Sequence, residues 1–345
     1  MISTPQRSLS KHHLFPSHTW PTIRVCSMRL FLIRHGESVD NVAGILAGRR
    51  DSALTNHGAE QARRLSKYLA ENRPHLTRVF SSSLQRAYTT AGIVAAEQST
   101  KGLTVSTVPY LIERDFGYYE GKTNRVRKGP DREKHKQEPG FVDVESKDSL
   151  AFRADLFLDH HLWPMLNDEA DFGGAAEHVV AIVSHGILLS SLWRRLLLRL
   201  GPKSVTFSRE VIASLGEVVL SHLGGWSNTG FLELSIQDMN PPDDELEITL
   251  PTVVPSPHAI ASSEPEMPTN EDVVGDVSVP KDAIDPESGE KEISRILDGY
   301  RTTILTVDGQ QHLQGLKRQR GGIGRAQHDD KQQSMTAFFK KARKD

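Results

Sequence analysis

Apolar residues along this chain fall into two kinds of run. Short apolar runs at Arg29–Ile33 and His178–Val183 have the length and the bounding turns of buried strands, and Thr77–Phe80 and Thr104–Val108 read as two further strands. Between them, apolar residues recur every three or four positions, as on one face of a helix. Ala59, Ala62, Leu65, Tyr68 and Leu69 make the first such stretch, with Thr55 as its candidate N-cap and Pro74 at its end. Leu84–Ala96 is the second, and Ser149–Leu166 is the third, through Leu150, Phe152, Leu156, Leu158 and Leu162. A fourth follows Ser184-His185-Gly186, and two further strands are expected at Leu215–Ser221 and Phe231–Ile236. Strands alternating with helices predict an α/β fold, a three-layer α/β/α sandwich with a mostly parallel central sheet. Lys122–Gly140 has no period, is basic and is punctuated by Pro and Gly, so it reads as a loop or a lid.

After Ile236 the pattern changes. Residues 238–292 hold half of the chain's 18 prolines, far more acidic than basic side chains, and no aromatic residue. Such a stretch buries too little apolar surface to offset its ordering entropy and is expected to be a disordered linker. Apolar spacing returns at Ile296, Leu297, Tyr300, Ile304 and Leu305, which suggests a small element that docks back on the core. The chain therefore divides into a tail at 1–27, a folded domain at 28–237, the acidic linker at 238–292 and a C-terminal tail at 293–345 with a short ordered element.

Composition removes several classes. A net charge of −2 over 345 residues points to no particular partner, and direct nucleic-acid binding is not expected. One cysteine, Cys26, forms no internal disulfide, and it lies outside the expected fold. The longest apolar run, Ile187–Leu200, is broken by Trp193-Arg194-Arg195, so no membrane span is expected. The first 36 residues lack any acidic side chain and are rich in Ser, His and Arg. That composition fits a transit peptide, a disordered tail, or a start that properly belongs at Met28.

Two of the expected strands end in a His-Gly turn, Arg34-His35-Gly36 and Ser184-His185-Gly186. In a parallel sheet the carboxyl ends of the strands share one edge, where ligands bind. His35 and His185 are thus expected to face each other across one pocket. Arg34 adds a fixed cation with a bidentate fork, and Arg86, at the start of a helix, can reach the same edge. A single His-Gly pair is ordinarily only a turn, and Arg86 alone would be a solvated helix residue. Together, two arginines and two histidines make a phosphate pocket. No metal-ligand spacing and no P-loop stands in the chain, and no cofactor is expected.

The chain resembles the histidine phosphatase (phosphoglycerate mutase-like) superfamily at this point. Arg34-His35-Gly36-Glu37-Ser38, with Asn41, Gly48, Asp51, Leu54-Thr55, Gly58 and Gln61-Ala62, is similar to the family's opening. Ser82-Ser83-Leu84-Gln85-Arg86-Ala87 resembles its second signature, and Leu111–Gly117 with Glu120-Gly121 its third. Glu145-Ser146 and Arg153 match a weaker fourth, and Val183-Ser184-His185-Gly186 the fifth. The departures are Ser82-Ser83-Leu84 where Ser-Asp-Leu is common, and Tyr119 where Trp is common. The resemblance covers about residues 29–236. It implies His35 as a nucleophile that becomes phosphorylated and Glu113 as proton donor. It implies that Arg34, Arg86 and His185 bind the transferred phosphoryl group, with Asn41 helping. His185 is expected to be cationic and His35 neutral. The expected activity is hydrolysis of a small phosphorylated substrate. The comparatively short stretch from Gly121 to His185 favours hydrolysis over mutase-type phosphotransfer, which stays as the alternative. The basic side chains Arg125, Arg127, Lys128, Arg132, Lys134 and Lys136 would either attract an anionic substrate or form a solvated loop.

The C-terminus holds a second motif. Gln332, Met335, Phe338 and Phe339, within residues 332–339, are spaced like a PCNA-interacting peptide. One helical turn would gather Met335, Phe338 and Phe339 into an apolar plug, with Gln332 in a polar pocket. The alternative is a short amphipathic tail that packs on its own domain. Lys317-Arg318-Gln-Arg320 and Lys340-Lys-Ala-Arg343 resemble nuclear localisation signals. Nucleus and cytoplasm are therefore expected over mitochondrion. A different class of function remains open, an adaptor at replication sites with a secondary or degenerate phosphatase domain.

Overall fold

The computed structural model describes residues 27–167, 177–201, 203–215, 219–223, 225–239, 297, 299–320 and 322–329. In chain order the strands are β1 (Ser27–Arg34), β2 (Arg78–Ser81), β3 (Val105–Thr107), β4 (Glu177–Ser184), β5 (Val205–Phe207), β6 (Phe231–Asp238) and β7 (Tyr300–Gly309). The α-helices are α1 (Val39–Ala43), α2 (Asn56–Asn72), α3 (Gln85–Ala96), α4 (Asn124–Lys128), α5 (Arg132–His135), α6 (Lys147–Phe157), α7 (Trp163–Asn167), α8 (Gly186–Arg199) and α9 (Arg209–Leu215).

β1 and β4 are apolar through their middles, Leu30–Ile33 and Val179–Val183, because both faces of the sheet are covered there. Alternate residues go to opposite sides. Met28, Leu30, Leu32, Val180 and Ile182 pack with Leu150 and Phe157 of α6 and with Leu188, Leu192 and Leu196 of α8. Phe31, Ile33, Val179, Ala181 and Val183 pack with Leu65 and Leu69 of α2 and with Ala87, Ala91 and Val94 of α3. The strand order is β3-β2-β4-β1-β6-β7-β5. β1, β2, β3 and β4 are mutually parallel where they pair, β6 is antiparallel to β1 and β7, and β5 is parallel to β7. This is the expected α/β fold with a mostly parallel sheet.

Local chemistry sets the helix ends. Thr55 accepts from the Gly58 amide at 3.0 Å and caps α2. At the other end Arg73 is extended, as a residue before proline must be. The expected helix Ser149–Leu166 runs as α6, a π-type turn at Leu158–Leu162, and α7. Pro164 has no amide proton for the i−4 carbonyl, and the Trp163 amide bonds back to Leu158 instead.

Two expectations are corrected. The strand expected at Leu215–Ser221 does not form in the described residues. Leu215 ends α9, Val219 is exposed, and residues 220–221 lie in a turn. The place beside β6 belongs to β7, which arrives from beyond the acidic segment. The stretch Lys122–Gly140 is not one loop but holds α4 and α5. Neither helix buries a residue, so neither leaves an apolar period to read. β7 was also hard to see. Its inward positions include Thr302, Ile304 and Thr306, so two of three are threonine. The residues around 332–339, the first 26 and the linker from residue 240 to 292 lie outside the described residues, while Asp238, expected in the linker, ends β6. No helix among the described residues is long and apolar enough to cross a membrane.

If β7 belongs to the core, Ile304→Ala, which empties a fully buried position, should cost about 2–5 kcal/mol. The check is the urea midpoint of the full chain. An unchanged midpoint would place β7 outside the sheet.

Candidate active site

β1 and β4 run side by side in a register that pairs Arg34 with Ser184. The next residue of each chain is a histidine. The rings of His35 and His185 stand 5.1 Å apart, centre to centre, inclined at 60°. The His35 amide donates to Ser184 O at 3.0 Å, which joins the two turns. Gly36 makes the close approach possible. A Cβ at that position would lie 2.5 Å from Gly58 O at the start of α2.

The two imidazoles are held differently. His35 Nδ1 lies 2.7 Å from Gly36 O, so that nitrogen carries the proton and donates. Nε2 is left with its lone pair. Arg86 Nε donates to His185 Nδ1 at 3.2 Å, so His185 carries its proton on Nε2, 2.9 Å from Ser82 Oγ. Burial, then Arg86 and Arg34, pushes His35 well below the ordinary histidine range. Burial, then Arg86, His35 and Arg34, does the same to His185. The expectation of a cationic His185 is thus corrected. A ring nitrogen that accepts from a guanidinium has no proton, and a buried imidazolium beside two arginines is unfavourable. A phosphoryl dianion between the rings would act in the opposite direction.

Arg86 is fully buried. Besides His185 it donates to the carbonyls of Arg50 (2.8 Å), Ala47 (2.9 Å) and Gly48 (2.9 Å). It therefore shapes the 47–50 loop as well as orienting His185. Glu120 grips that loop from the other side, accepting from the amides of Gly48, Arg49 and Arg50. Arg34 Nη1 donates to Trp226 O, while Arg34 Nε is buried with no acceptor. An orphan donor of this kind is costly unless a ligand fills the role. Asn41 spends Oδ1 on the Ser38 and Asn228 donors, which leaves its amide hydrogens for a ligand.

Glu113 is buried, with its carboxylate at the start of α8. Its carboxylate accepts from the amides of Arg114 (2.8 Å), Leu188 (3.1 Å) and Ile187 (3.2 Å). Burial raises its pKa, and the three amides and Arg86 pull back only in part. A carboxyl shifted upward in this way is suited to carry a proton near neutrality. Arg153 supports it from below, donating to the carbonyls of Tyr110 and Ile112 and to both Glu145 oxygens. Burial alone would raise Glu145, but bonds from Arg153, the Asp115 amide and Ser149 hold it at about 2.

The structure thus brings His35, His185, Arg34, Arg86, Glu113 and Asn41 to one sheet edge. Sequence reading missed the Ser82 hydroxyl under His185, the 47–50 carbonyls and the 226–230 turn. Ser82 and Gly48 carried a signal, as members of the second signature and of the opening one. Beside Glu113 in the chain, Arg114 lines a cavity of about 420 Å³ with Arg127, Lys128 and Arg132, and with Asp143 and Val144. Lys134 and Lys136 instead pair with Asp131 and Glu133. Gln332, Met335, Phe338 and Phe339 lie outside the described residues. No group of three or more His, Cys, Asp or Glu among the described residues is placed to hold a metal ion.

A family model for the histidine phosphatase superfamily (branch 1) matches residues 30–220. The chain belongs to that superfamily. Among curated proteins, this chain is 37% identical over 176 residues to a probable phosphatase of Schizosaccharomyces pombe, which covers 49% of this chain and 56% of the relative. It is 37% identical to a broad-specificity phosphatase of Saccharomyces cerevisiae over 27% of this chain and 41% of the relative. It is 35% identical to a 2,3-bisphosphoglycerate-dependent phosphoglycerate mutase of Methylorubrum populi over 27% of this chain and 43% of the relative. The chain thus spans about half the length of the curated relatives it matches.

The hydrogen bonds make a direct expectation. Neither His35 nor His185 should take up a proton as pH falls through the ordinary histidine value of about 6.5 in the ligand-free protein. Heteronuclear NMR of the imidazole nitrogens checks this. A titration of either ring near the ordinary value of about 6.5 would contradict the assigned environment.

Proposed function

We propose that this histidine phosphatase hydrolyses phosphomonoesters through a phosphohistidine at His35 Nε2. One observation carries the reading. His35 Nδ1 is tied to Gly36 O, which leaves Nε2 with its lone pair on a ring 5.1 Å from that of His185, in the residue that follows Arg34 with its unpartnered Nε. In this reading the Nε2 lone pair attacks phosphorus and the bond to the ester oxygen breaks. The leaving oxygen takes the proton of Glu113. Water then attacks the phosphohistidine, Glu113 takes back a proton, and orthophosphate departs from a restored neutral His35. During the first step the imidazole becomes positive, and the Nδ1–H···O bond to Gly36 stabilises that charge. Arg34, Arg86 and His185 balance the phosphoryl oxygens, each contributing about 3 kcal/mol to the transition state.

The substrate we favour is a small phosphorylated metabolite with a further anionic group. The four cations around the cavity lined by Arg114, the residue after Glu113 in the chain, support this, because a ligand with two anionic groups that reaches both places gains charge-assisted bonds at each. Phosphotransfer to a second substrate is the alternative, supported by the mutase relative. Hydrolysis is preferred because the helices after Gly121 are short and expose most of their residues to water.

A second proposal concerns partners. The spacing of Gln332, Met335, Phe338 and Phe339 supports docking of the tail on PCNA by a short helical plug. Nuclear as well as cytoplasmic residence goes with it. Arg318 is engaged by Glu37, so the basic run Lys340–Lys344 is the stronger support for nuclear entry.

Replacing His35 by Ala should lower phosphate release from p-nitrophenyl phosphate at least about 1000-fold with folding intact. Residual activity within about 10-fold would remove the nucleophile. The pH profile separates the acid from the nucleophile. Activity should persist as pH falls below the ordinary histidine value of about 6.5, because His35 stays neutral, and should fall as pH rises through the raised pKa of Glu113. Glu113→Gln should abolish that alkaline limb and cost about 100-fold. For the tail, immobilised PCNA should retain a peptide of residues 328–345 and release the same peptide with Phe338→Ala and Phe339→Ala. Equal retention of both peptides would reject the plug.

A further inference from the structure

The loop that carries the nucleophile does not hold itself. Most of its lateral support comes from the 226–230 turn. Trp226 O accepts from Arg34 Nη1. Asn228 Nδ2 donates to His35 O at 3.1 Å and to Asn41 Oδ1 at 3.2 Å. The Thr229 amide donates to Arg34 O at 3.0 Å, and Gly230 O accepts from the Arg34 amide at 3.1 Å. The turn therefore touches the phosphate-binding arginine, the nucleophile's carbonyl and the helper asparagine at once.

The turn in turn is held by β7. Asp308 Oδ1 accepts from the Ser227 amide at 2.9 Å, and Oδ2 accepts from Ser227 Oγ at 2.7 Å. The fit is tight, since a Cβ on Gly230 would lie 2.1 Å from Asp308 Oδ1. Both sides of this contact use left-handed backbone at non-glycine residues, Thr229 at φ +58° and Asp308 at φ +42°. Such conformations persist where the surroundings over-determine them, and they cluster at functional sites. His312, just past β7, adds a bond to Thr229 Oγ1 at 2.9 Å.

We infer that Asp308 is a positioning residue for phosphoryl transfer, acting through Ser227 on the turn that aligns Arg34 and His35. This rests on the proposed phosphoryl pocket. It makes completion of that pocket depend on a strand that follows the acidic segment. Asp308 also acts on the Arg34 guanidinium by charge, alongside Glu113. The two roles are separable, because asparagine keeps an acceptor for the Ser227 amide and tolerates left-handed backbone while losing the charge.

The experiment uses the full chain as wild type, Asp308→Ala, Asp308→Asn and, as control, Thr303→Ala, whose exposed hydroxyl on β7 faces Thr206. Turnover of p-nitrophenyl phosphate gives kcat and KM, calorimetry gives orthovanadate affinity, and circular dichroism gives Tm. Asp308→Ala is expected to lose about 30-fold in kcat/KM and to bind orthovanadate about 10-fold more weakly. Asp308→Asn should recover to within about 5-fold of wild type, and Thr303→Ala should match wild type. A folded Asp308→Ala protein within about 2-fold of wild type in both readouts overturns the inference, as does an Asp308→Asn protein no better than Asp308→Ala. If Asp308→Ala fails to fold, Ser227→Ala replaces it, with an expected loss of about 5-fold and the same threshold for rejection. Wild type that binds orthovanadate but turns over no substrate would refute the proposed hydrolysis, while the affinities still decide the role of Asp308.

Discussion

The site depends on the parallel pairing of β1 with β4. Arg34 lies opposite Ser184, so two residues about 150 apart in sequence leave the sheet as neighbours. Both are histidines followed by glycine; at Gly36 a side chain would collide with Gly58 O, and Gly186 opens α8. A slip of one residue would send one imidazole to the opposite face. The register is protected because both faces of both strands are buried, so a slip would also exchange the two apolar layers. Packing energy in the core thereby fixes a distance in the active site.

Burial has a second effect at the same place. It removes water from two imidazoles, two guanidiniums and a carboxyl, and the result differs for each. The histidines are pushed toward the neutral form, which suits a nucleophile. The carboxyl is pushed toward the protonated form, which suits an acid. The arginines keep their charge and are shared out, Arg86 among backbone carbonyls and Arg34 between Trp226 and an unused donor. No single residue would behave this way on an exposed surface. The surrounding framework is built largely from main-chain groups: the 47–50 carbonyls, the first amides of α8 and the 226–230 turn.

That division explains what was readable from residues alone. His35, His185, Arg34 and Arg86 stand out because phosphate chemistry requires those side chains beside strand-ending glycine turns. Thr55 was readable as a cap because its hydroxyl has one local task. β7 was not readable as a strand because threonines occupy its inward positions and a long acidic stretch separates it from β6. Asp308 and Ser227 gave no signal, since their work is to hold a turn whose contacts are mostly backbone. The protonation of His185 depends on the direction of the Arg86 Nε–H bond, which no spacing reveals. The helices α4 and α5 escaped notice because they bury no face.

The proposed reaction passes phosphorus through the imidazole of His35. Brief mixing of the full chain with p-nitrophenyl phosphate, quenching in alkali and peptide mapping by mass spectrometry tests it directly. One added phosphoryl group, stable in alkali and lost in acid, should sit on the peptide that contains His35. The same group on another residue, or burst release of p-nitrophenol with no labelled peptide at all, would contradict the account.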